Sequence, residues 1–260
     1  MKYQVRDVCR IMEELAPLEL AFEWDNVGLQ IGDPDQEVSG VLLTLSVTIE
    51  SVQKAIAGGA DLIIAHHPVI FKPLPHIRTD TPEGSLLTAI LKHDLAVYVA
   101  HTNLDQAEQG LNQWLARDLG LREQRVLAPV DNGTVGLGRI GTVAPVKLRT
   151  FAQQIEDLWN CSVRLVGDPE QEITTVAVLG GSGGDFVQKA RESGADVLVT
   201  GDVSYHDAMD ARSLGLAVLD AGHFATEQIV VKELGRYLAE RWGDRIRILE
   251  DHGASPFASE

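Results

Sequence analysis

The sequence predicts an α/β fold made of two similar lobes. Short apolar segments alternate with helical segments along the chain, which is typical of sheets covered by helices. One strand, helix, strand segment also occurs twice, because residues 41–68 match residues 176–203 at a constant offset of 135 positions. The two copies share the tetrapeptide VQKA and the tripeptide GAD, so we interpret them as an internal duplication.

The predicted elements follow one another along the chain. Apolar residues recur at helical spacing near the start and predict an amphipathic helix rather than a signal peptide: Val5, Val8, Ile11, Met12 and Leu15. Strands are predicted at 41–45, 61–65, 95–100, 175–179, 196–200 and 216–220, and helices at 51–57, 83–93, 108–119, 148–159, 185–193, 204–213 and 223–241. Periodicity is lost at 121–135, so we place a first lobe at 1–126 and a second at 127–260, with no inserted middle domain.

Composition limits the class of partner. The 260 residues are 45% hydrophobic and 23% charged, which is typical of a folded, water-soluble chain. The net charge of -16 disfavours long polyanions such as nucleic acids, although a bound metal ion can still attract a small anion. Two cysteines without a CxxC motif indicate a reducing compartment, and no apolar run reaches the ~18 residues of a membrane span. We therefore expect a cytoplasmic protein without a membrane partner.

Two consecutive histidines end the second predicted strand. His66 and His67 are followed by Pro68, which stops the strand from continuing. Adjacent side chains on an extended backbone point in opposite directions, so this pair can supply two metal ions better than it can chelate one. Structural or solvent-facing histidines are the alternative, and the pair alone leaves both interpretations open.

A histidine and a carboxylate four residues apart follow the third strand of each copy. The pairs are His101 with Asp105, and His223 with Glu227. Positions i and i+4 of a helix share a face, so the second pair can reach one ion. Asp105 is equally compatible with capping the helix at 108–119, and the second pair with a solvated helix face.

The joint arrangement favours metal binding more than any single residue does. Histidines and carboxylates follow corresponding strands of both halves, which predicts a dinuclear metal site. Imidazole and carboxylate ligands suit Zn, Fe, Mn, Co or Ni without choosing among them. His206 is an acid or base, a substrate ligand, or a surface histidine. The glycines of 180–184 either receive a phosphate or serve the backbone alone.

Five separated motifs carry a family resemblance over most of the chain. They are WDNVGLQIGD (24–33), HHP (66–68), HTNLD (101–105), GDVSYHDA (201–208) and AGHFATE (221–227). Together they resemble the hexameric proteins with a dinuclear metal centre known as GTP cyclohydrolase type-two homologues, the family of NGG-interacting factor three. Asp202 departs from the pattern, since many relatives carry Glu there, and its role stays open. Asp25 and Asn26 either orient ligands or turn the chain, and we favour support near the site.

The resemblance implies a homohexamer with two divalent metal ions per chain, bound in the cleft between the two lobes. It implies these metal ligands, with the last one bridging: His66, His67, Asp105, His223 and Glu227. His101 is then an additional ligand or a group that supports the ligands.

The same resemblance implies a hydrolase that acts on a small anionic substrate, GTP or a related nucleotide. In the implied reaction, hydroxide attacks C8 of guanine and formate is released, with His101 and His206 as candidate catalytic residues. One alternative is a metal-dependent phosphoesterase or other nucleotide hydrolase at the same site. Another is a regulatory hexamer that binds metal and partner proteins without catalysis.

Overall fold

The computed structural model describes residues 3–130 and 133–257. The strands are β1 Tyr3–Gln4, β2 Gly28–Ile31, β3 Glu37–Val38, β4 Gly40–Thr44, β5 Leu62–Ala65, β6 Ala96–Val99, β7 Arg122–Val130, β8 Val135–Lys147, β9 Arg164–Val166, β10 Glu172–Ser182, β11 Val197–Gly201, β12 Ala217–Asp220 and β13 Arg247–Asp251. The α-helices are α1 Val5–Leu15, α2 Ile49–Gly58, α3 Pro82–Lys92, α4 Thr102–Gln106, α5 Leu111–Asp118, α6 Leu148–Trp159, α7 Val187–Glu192, α8 Tyr205–Leu214, α9 His223–Glu227 and α10 Ile229–Trp242. In the described ranges, no helix combines the length and hydropathy that crossing a membrane requires.

The chain divides into two compact units. The first comprises the described part of Met1–Leu104 together with Val230–Gly253. Its five-stranded sheet has the order β13, β4, β5, β6, β2, in which the first four strands are parallel and β2 is antiparallel to β6. Apolar side chains of the strands and of α2 and α3 form its core, including Leu42, Val52, Ile63, Ile90 and Val97. The inner strands β4, β5 and β6 are buried along their whole length and almost entirely apolar, as expected for a parallel sheet covered on both faces, whereas the edge strand β13 carries charged and partly exposed residues.

The second unit comprises Asp105–Ile229 and the described part of Ala254–Glu260. Its six-stranded sheet has the order β7, β8, β10, β11, β12, β9. Strands β10, β11 and β12 are parallel, and the remaining strands join them in antiparallel pairs. The core packs strand residues against α7 and α8, including Ala177, Val187, Leu198, Ala211 and Val218.

Equivalent contacts recur in the two units at the offset of 135 positions. In the first unit, the Asp61 carboxylate accepts hydrogen bonds of 2.7 and 3.2 Å from two consecutive backbone N–H groups where β4 begins. In the second unit, the Asp196 carboxylate accepts two bonds of 2.9 Å from consecutive N–H groups of β10. The preceding helices are followed by Gly59 at φ 66° and Gly194 at φ 87°, which only glycine adopts without strain. The shared GAD tripeptide therefore has one structural role in both copies.

The six predicted strands and the predicted helices all occur, and apart from the helix at 148–159 their bounds are shifted. The helix predicted at 108–119 begins at Leu111, and the helix predicted at 223–241 is divided into α9 and α10 at Gln228. The predicted join at 121–135 is instead largely the antiparallel pair β7 and β8, apart from residues 131–132, which lie outside the described residues. Leu127 is the one buried residue of β7, so this strand lacks the alternation of buried and exposed side chains that predicts a strand.

The predicted lobe boundary at 126/127 stays a prediction about the duplicated segments. The two compact units divide the chain differently, because α10 and β13 lie near the end of the sequence but belong to the first unit. Strand β13 pairs in parallel with β4.

A buried arginine fixes the segment after α4 to β8. Arg139 is 3% exposed, and its guanidinium donates five hydrogen bonds of 2.9–3.2 Å. The acceptors are the Gln113 side chain and the carbonyls of Ala107, Glu108, Gly136 and Gly138. Burial lowers the pKa of Arg139 to about 10, which leaves the side chain charged at neutral pH. Because all five N–H groups of this charged guanidinium donate hydrogen bonds, Arg139 holds these loops in one geometry.

Candidate metal centre

Three histidines of the first unit converge where β5 and β6 end. His66 follows β5 and is fully buried, and its Nδ1 donates to the Ala100 carbonyl at 2.7 Å. His67 is half-buried, and its Nδ1 lies 2.7 Å from Oγ of Ser46. His101 follows β6, and its Nδ1 lies 3.0 Å from both carboxylate oxygens of Asp25.

The Asp25 carboxylate, which accepts the hydrogen bond from His101, is fixed by further hydrogen bonds. Asp25 also accepts hydrogen bonds from the backbone N–H and the hydroxyl of Thr102, at 3.1 and 2.5 Å. Burial of its side chain opposes the charge, but the hydrogen bonds from His101 and Thr102 lower the pKa of Asp25 to about 2. Asp25 is therefore ionised at neutral pH and fixes the ring orientation of His101.

The three imidazoles offer ligand atoms to one small volume. Ring centroids are 5.2 Å apart for His66 with His67, 5.2 Å for His66 with His101, and 5.7 Å for His67 with His101. One ligand nitrogen from each ring lies within 4.8 Å of the other two. Because Nδ1 of each ring is used by a neighbour, the ligating atom would be Nε2 in all three. Three such nitrogens fit a divalent first-row metal ion.

A histidine and a carboxylate of the second unit also face each other. His223 opens α9 directly after Gly222, and its Nε2 lies 2.9 Å from a carboxylate oxygen of Glu227 one turn later. Its Nδ1 lies 2.7 Å from the carboxylate of Asp202. The hydrogen bond to Glu227 raises the pKa of His223 to about 9, burial opposes this, and Asp202 adds to the rise. The pair Nε2 and carboxylate is a donor set suited to one divalent ion, with Asp202 orienting the ring.

The glycine-rich segment at 180–184 makes room for Glu227. Gly181 has φ +68°, and a Cβ there would overlap Oε1 of Glu227 and lie 3.5 Å from Cε1 of His223. The Gly181 N–H also donates to the hydroxyl of Thr226 at 3.0 Å. A Cβ on Gly183 would overlap the Thr200 hydroxyl. Close packing and positive φ thus account for these glycines, which is the backbone interpretation of this segment.

Two other predicted site residues lie outside these groups of ligand atoms, among the residues that the structure describes. Asp105 lies within α4, and its carbonyl accepts a hydrogen bond from Asn112. The alternative that Asp105 caps the next helix is wrong, since Gly110 is the N-cap of α5. His206 is exposed on α8 with its ring against Tyr205. The ligand role of Asp105 and the catalytic role of His206 stay predictions.

Sequence reasoning missed two of the groups that orient the ligands. Ser46 and the Ala100 carbonyl come from segments far from the histidines they contact, and nothing in their local pattern marks them. Asp25 had a signal in the WDN motif, and Asp202 had one in its position directly after β11. Both prove to bind the Nδ1 of a candidate ligand.

The fold and its donor groups define a mixed α/β protein with candidate sites for divalent metal ions. The chain belongs to the Duf34/NIF3 (NGG1p interacting factor 3) family, whose model matches residues 3–252. A relative from Streptococcus pneumoniae named GTP cyclohydrolase 1 type 2 homolog is 38% identical over 239 residues, which cover 90% of this chain and 89% of the relative. A relative of the same name from Clostridium acetobutylicum is 36% identical over 231 residues, which cover 87% and 86%.

Solved structures agree with this assignment. A Bacillus cereus protein related to NIF3 superposes with a TM-score of 0.94 at 28% identity, covering 100% of this chain and 99% of that one. Reduced HcgD from Methanocaldococcus jannaschii superposes with a TM-score of 0.83 at 29% identity, covering 96% and 98%.

Proposed function

We propose that the protein is a hydrolase that uses two divalent metal ions to open the guanine ring of GTP or a related nucleotide, releasing formate. The observation that carries the proposal is the cluster of His66, His67 and His101, with ligand nitrogens within 4.8 Å of one another. The substrate comes from the name of the curated relatives, GTP cyclohydrolase 1 type 2 homolog.

The ligand assignment extends this cluster. We propose that His66, His67, Asp105, His223 and Glu227 hold the two ions, and that Glu227 bridges them. Its support is the close approach of Glu227 to His223 and the space that Gly181 leaves for the carboxylate. Two ions bound there would lower the pKa of a water molecule and polarise the bond that it attacks.

The remaining chemistry belongs to the chain itself. Asp25 accepts the Nδ1–H of His101, so His101 would exchange a proton at Nε2 or direct that atom to an ion. His206 is the other candidate proton carrier. From the resemblance we also propose a homohexamer, which light scattering of the purified protein tests through its mass.

Incubation with GTP tests the reaction. Protein loaded separately with Zn, Mn, Co, Fe or Ni is mixed with GTP, and formate and inorganic phosphate are measured. We expect formate release, and loss of it in His67→Ala. The matched control is His76→Ala, which removes an exposed histidine and should keep full activity.

Other products identify the other functions. Phosphate without formate would indicate a phosphoesterase, and no turnover with any metal would favour a regulatory hexamer. Either result contradicts the ring-opening reaction.

A further inference from the structure

We propose that Trp24 and Phe71 form a binding surface for the planar heteroaromatic ring of the substrate, beside the histidine cluster. The inference rests on the proposed function, because it places the base of a nucleotide next to that metal centre. It also gives a role to Trp24, the residue of the WDN motif that does not orient a metal ligand. Asp25 holds His101 and Asn26 donates to the Ile70 carbonyl, whereas Trp24 presents most of its indole to solvent.

Both rings of the aromatic surface are exposed to solvent. Trp24 is 58% exposed and Phe71 is 46% exposed, whereas the other three tryptophans are buried. Aromatic side chains contribute large apolar areas to cores and interfaces, so an exposed group of them marks a place where something binds.

The rings are arranged around the indole and reach the candidate metal centre. Phe22 lies nearly parallel to Trp24, with centroids 5.5 Å apart and an angle of 22°. Phe71 and His101 are steeply inclined to it, at 5.9 and 6.4 Å. Stacked or edge-to-face rings have centroids about 4.5–7 Å apart, so a base packed on Trp24 is also close to His101. A substrate with its reactive atom at the imidazoles therefore has its aromatic ring within reach of the indole.

Hydrogen bonds hold both aromatic segments before any ligand arrives. The Phe22 N–H donates to the Thr102 hydroxyl at 3.1 Å, which ties the Trp24 segment to the residue after His101. The Ile70 N–H donates to the Gln30 side chain at 2.9 Å, and Asn26 donates to the Ile70 carbonyl at 2.6 Å. Preorganised aromatic side chains lose little entropy when a ligand binds, so their contact area contributes efficiently to affinity.

Charge favours the base over the phosphates at this surface. Glu23 and Asp25 flank Trp24 in a chain of net charge -16, so the segment around the indole repels phosphate groups, although Lys72 follows Phe71. An uncharged heteroaromatic ring stacks on an indole without that penalty. We therefore assign the surface to the base, and a second copy of this chain becomes the alternative that the test must detect.

The test uses the metal-loaded full-length protein with two probes, GTP and inorganic tripolyphosphate, which lacks the base. Titration calorimetry gives both affinities, and stopped-flow fluorescence follows Trp24, the exposed tryptophan. Removal of an aromatic side chain on which a base stacks weakens binding by about 1–3 kcal/mol, which corresponds to a roughly 5- to 160-fold rise in Kd. We expect that rise for GTP in Trp24→Ala, an unchanged Kd for tripolyphosphate, and near-normal GTP binding in Trp24→Phe. Phe257→Ala, which removes another exposed aromatic ring, should change neither affinity.

Three results would contradict the inference. An unchanged Kd for GTP in Trp24→Ala, a parallel loss of tripolyphosphate binding, or no binding of GTP by the unmodified protein overturns the inference. A fall in oligomer mass in Trp24→Ala without loss of GTP affinity shows instead that the surface joins copies of the chain. If GTP binds through Trp24 but no formate appears, the proposed reaction fails and this inference stands.

Discussion

Replacement of Asp25 by asparagine should destabilise the metal-free protein by an amount that depends on pH. The side chain of Asp25 is inaccessible to solvent and accepts hydrogen bonds from His101 and Thr102. Its pKa falls from the ordinary value of 3.8 to about 2. At about 1.4 kcal/mol per pKa unit, this difference corresponds to about 2 kcal/mol of folding free energy.

The sign and the pH window follow from the direction of the shift. A carboxylate with a depressed pKa in the folded state stabilises the protein above its unfolded pKa, and the effect is lost as pH falls through the folded pKa. The contribution of the Asp25 charge should be complete above about pH 5 and decline between pH 4 and pH 2. Asp25→Asn should therefore lower the stability by about 2 kcal/mol at pH 7 and by much less near pH 2.

Urea denaturation of chelator-treated protein, repeated from pH 7 to pH 2, measures this difference. Glu23→Gln is the control, because it removes an exposed carboxylate from the same segment and should change stability by less than about 0.5 kcal/mol. A difference between Asp25→Asn and the unmodified protein that stays constant over this range would refute the electrostatic argument.

Two further substitutions test the second unit. Gly181→Ala should weaken metal binding, because the new methyl group displaces the carboxylate end of Glu227, whereas Gly215→Ala has a similar φ but open space and should leave metal affinity unchanged. The positive φ should cost each variant about 1 kcal/mol of stability. Metal titrations and thermal melts compare the two variants, and equal metal affinities would contradict the packing argument. Arg139→Met should cost about 3 kcal/mol or more in urea denaturation, since it leaves five acceptors without their donor, three of which are buried backbone carbonyls. A loss below about 1 kcal/mol, the range expected for exposed Arg122→Ala, would show that Arg139 does not fix its loops.

Much of the fold was predictable because it is encoded locally. Apolar strands and the repeated GAD tripeptide located the parallel strands β4, β5 and β6 of one sheet and β10, β11 and β12 of the other, and Pro68 marked the end of β5. The edge strands were not predictable in this way. Strand β7 has a single buried residue, and β13 contains three charged residues among its five, so neither shows the apolar run or the alternation that predicts a strand.

The candidate ligands were predictable to a similar extent, and their surroundings were not. Strand ends and the spacing of four identified His101 and His223 without any knowledge of the fold. The partner of each ring nitrogen depends on tertiary packing: Asp25 is 76 positions from His101. The orientation of a ligand depends on residues that meet only in the folded chain, so the periodicity of one segment cannot predict it.

Metal content per chain tests the central claim most directly. Purified protein loaded with a divalent metal, freed of excess ion and measured by elemental analysis should contain two ions per chain, and His76→Ala should match it. Glu227→Ala should contain fewer, because the carboxylate proposed to bridge the ions is gone. An unchanged content of two ions in Glu227→Ala, or none in the unmodified protein, would contradict the dinuclear site.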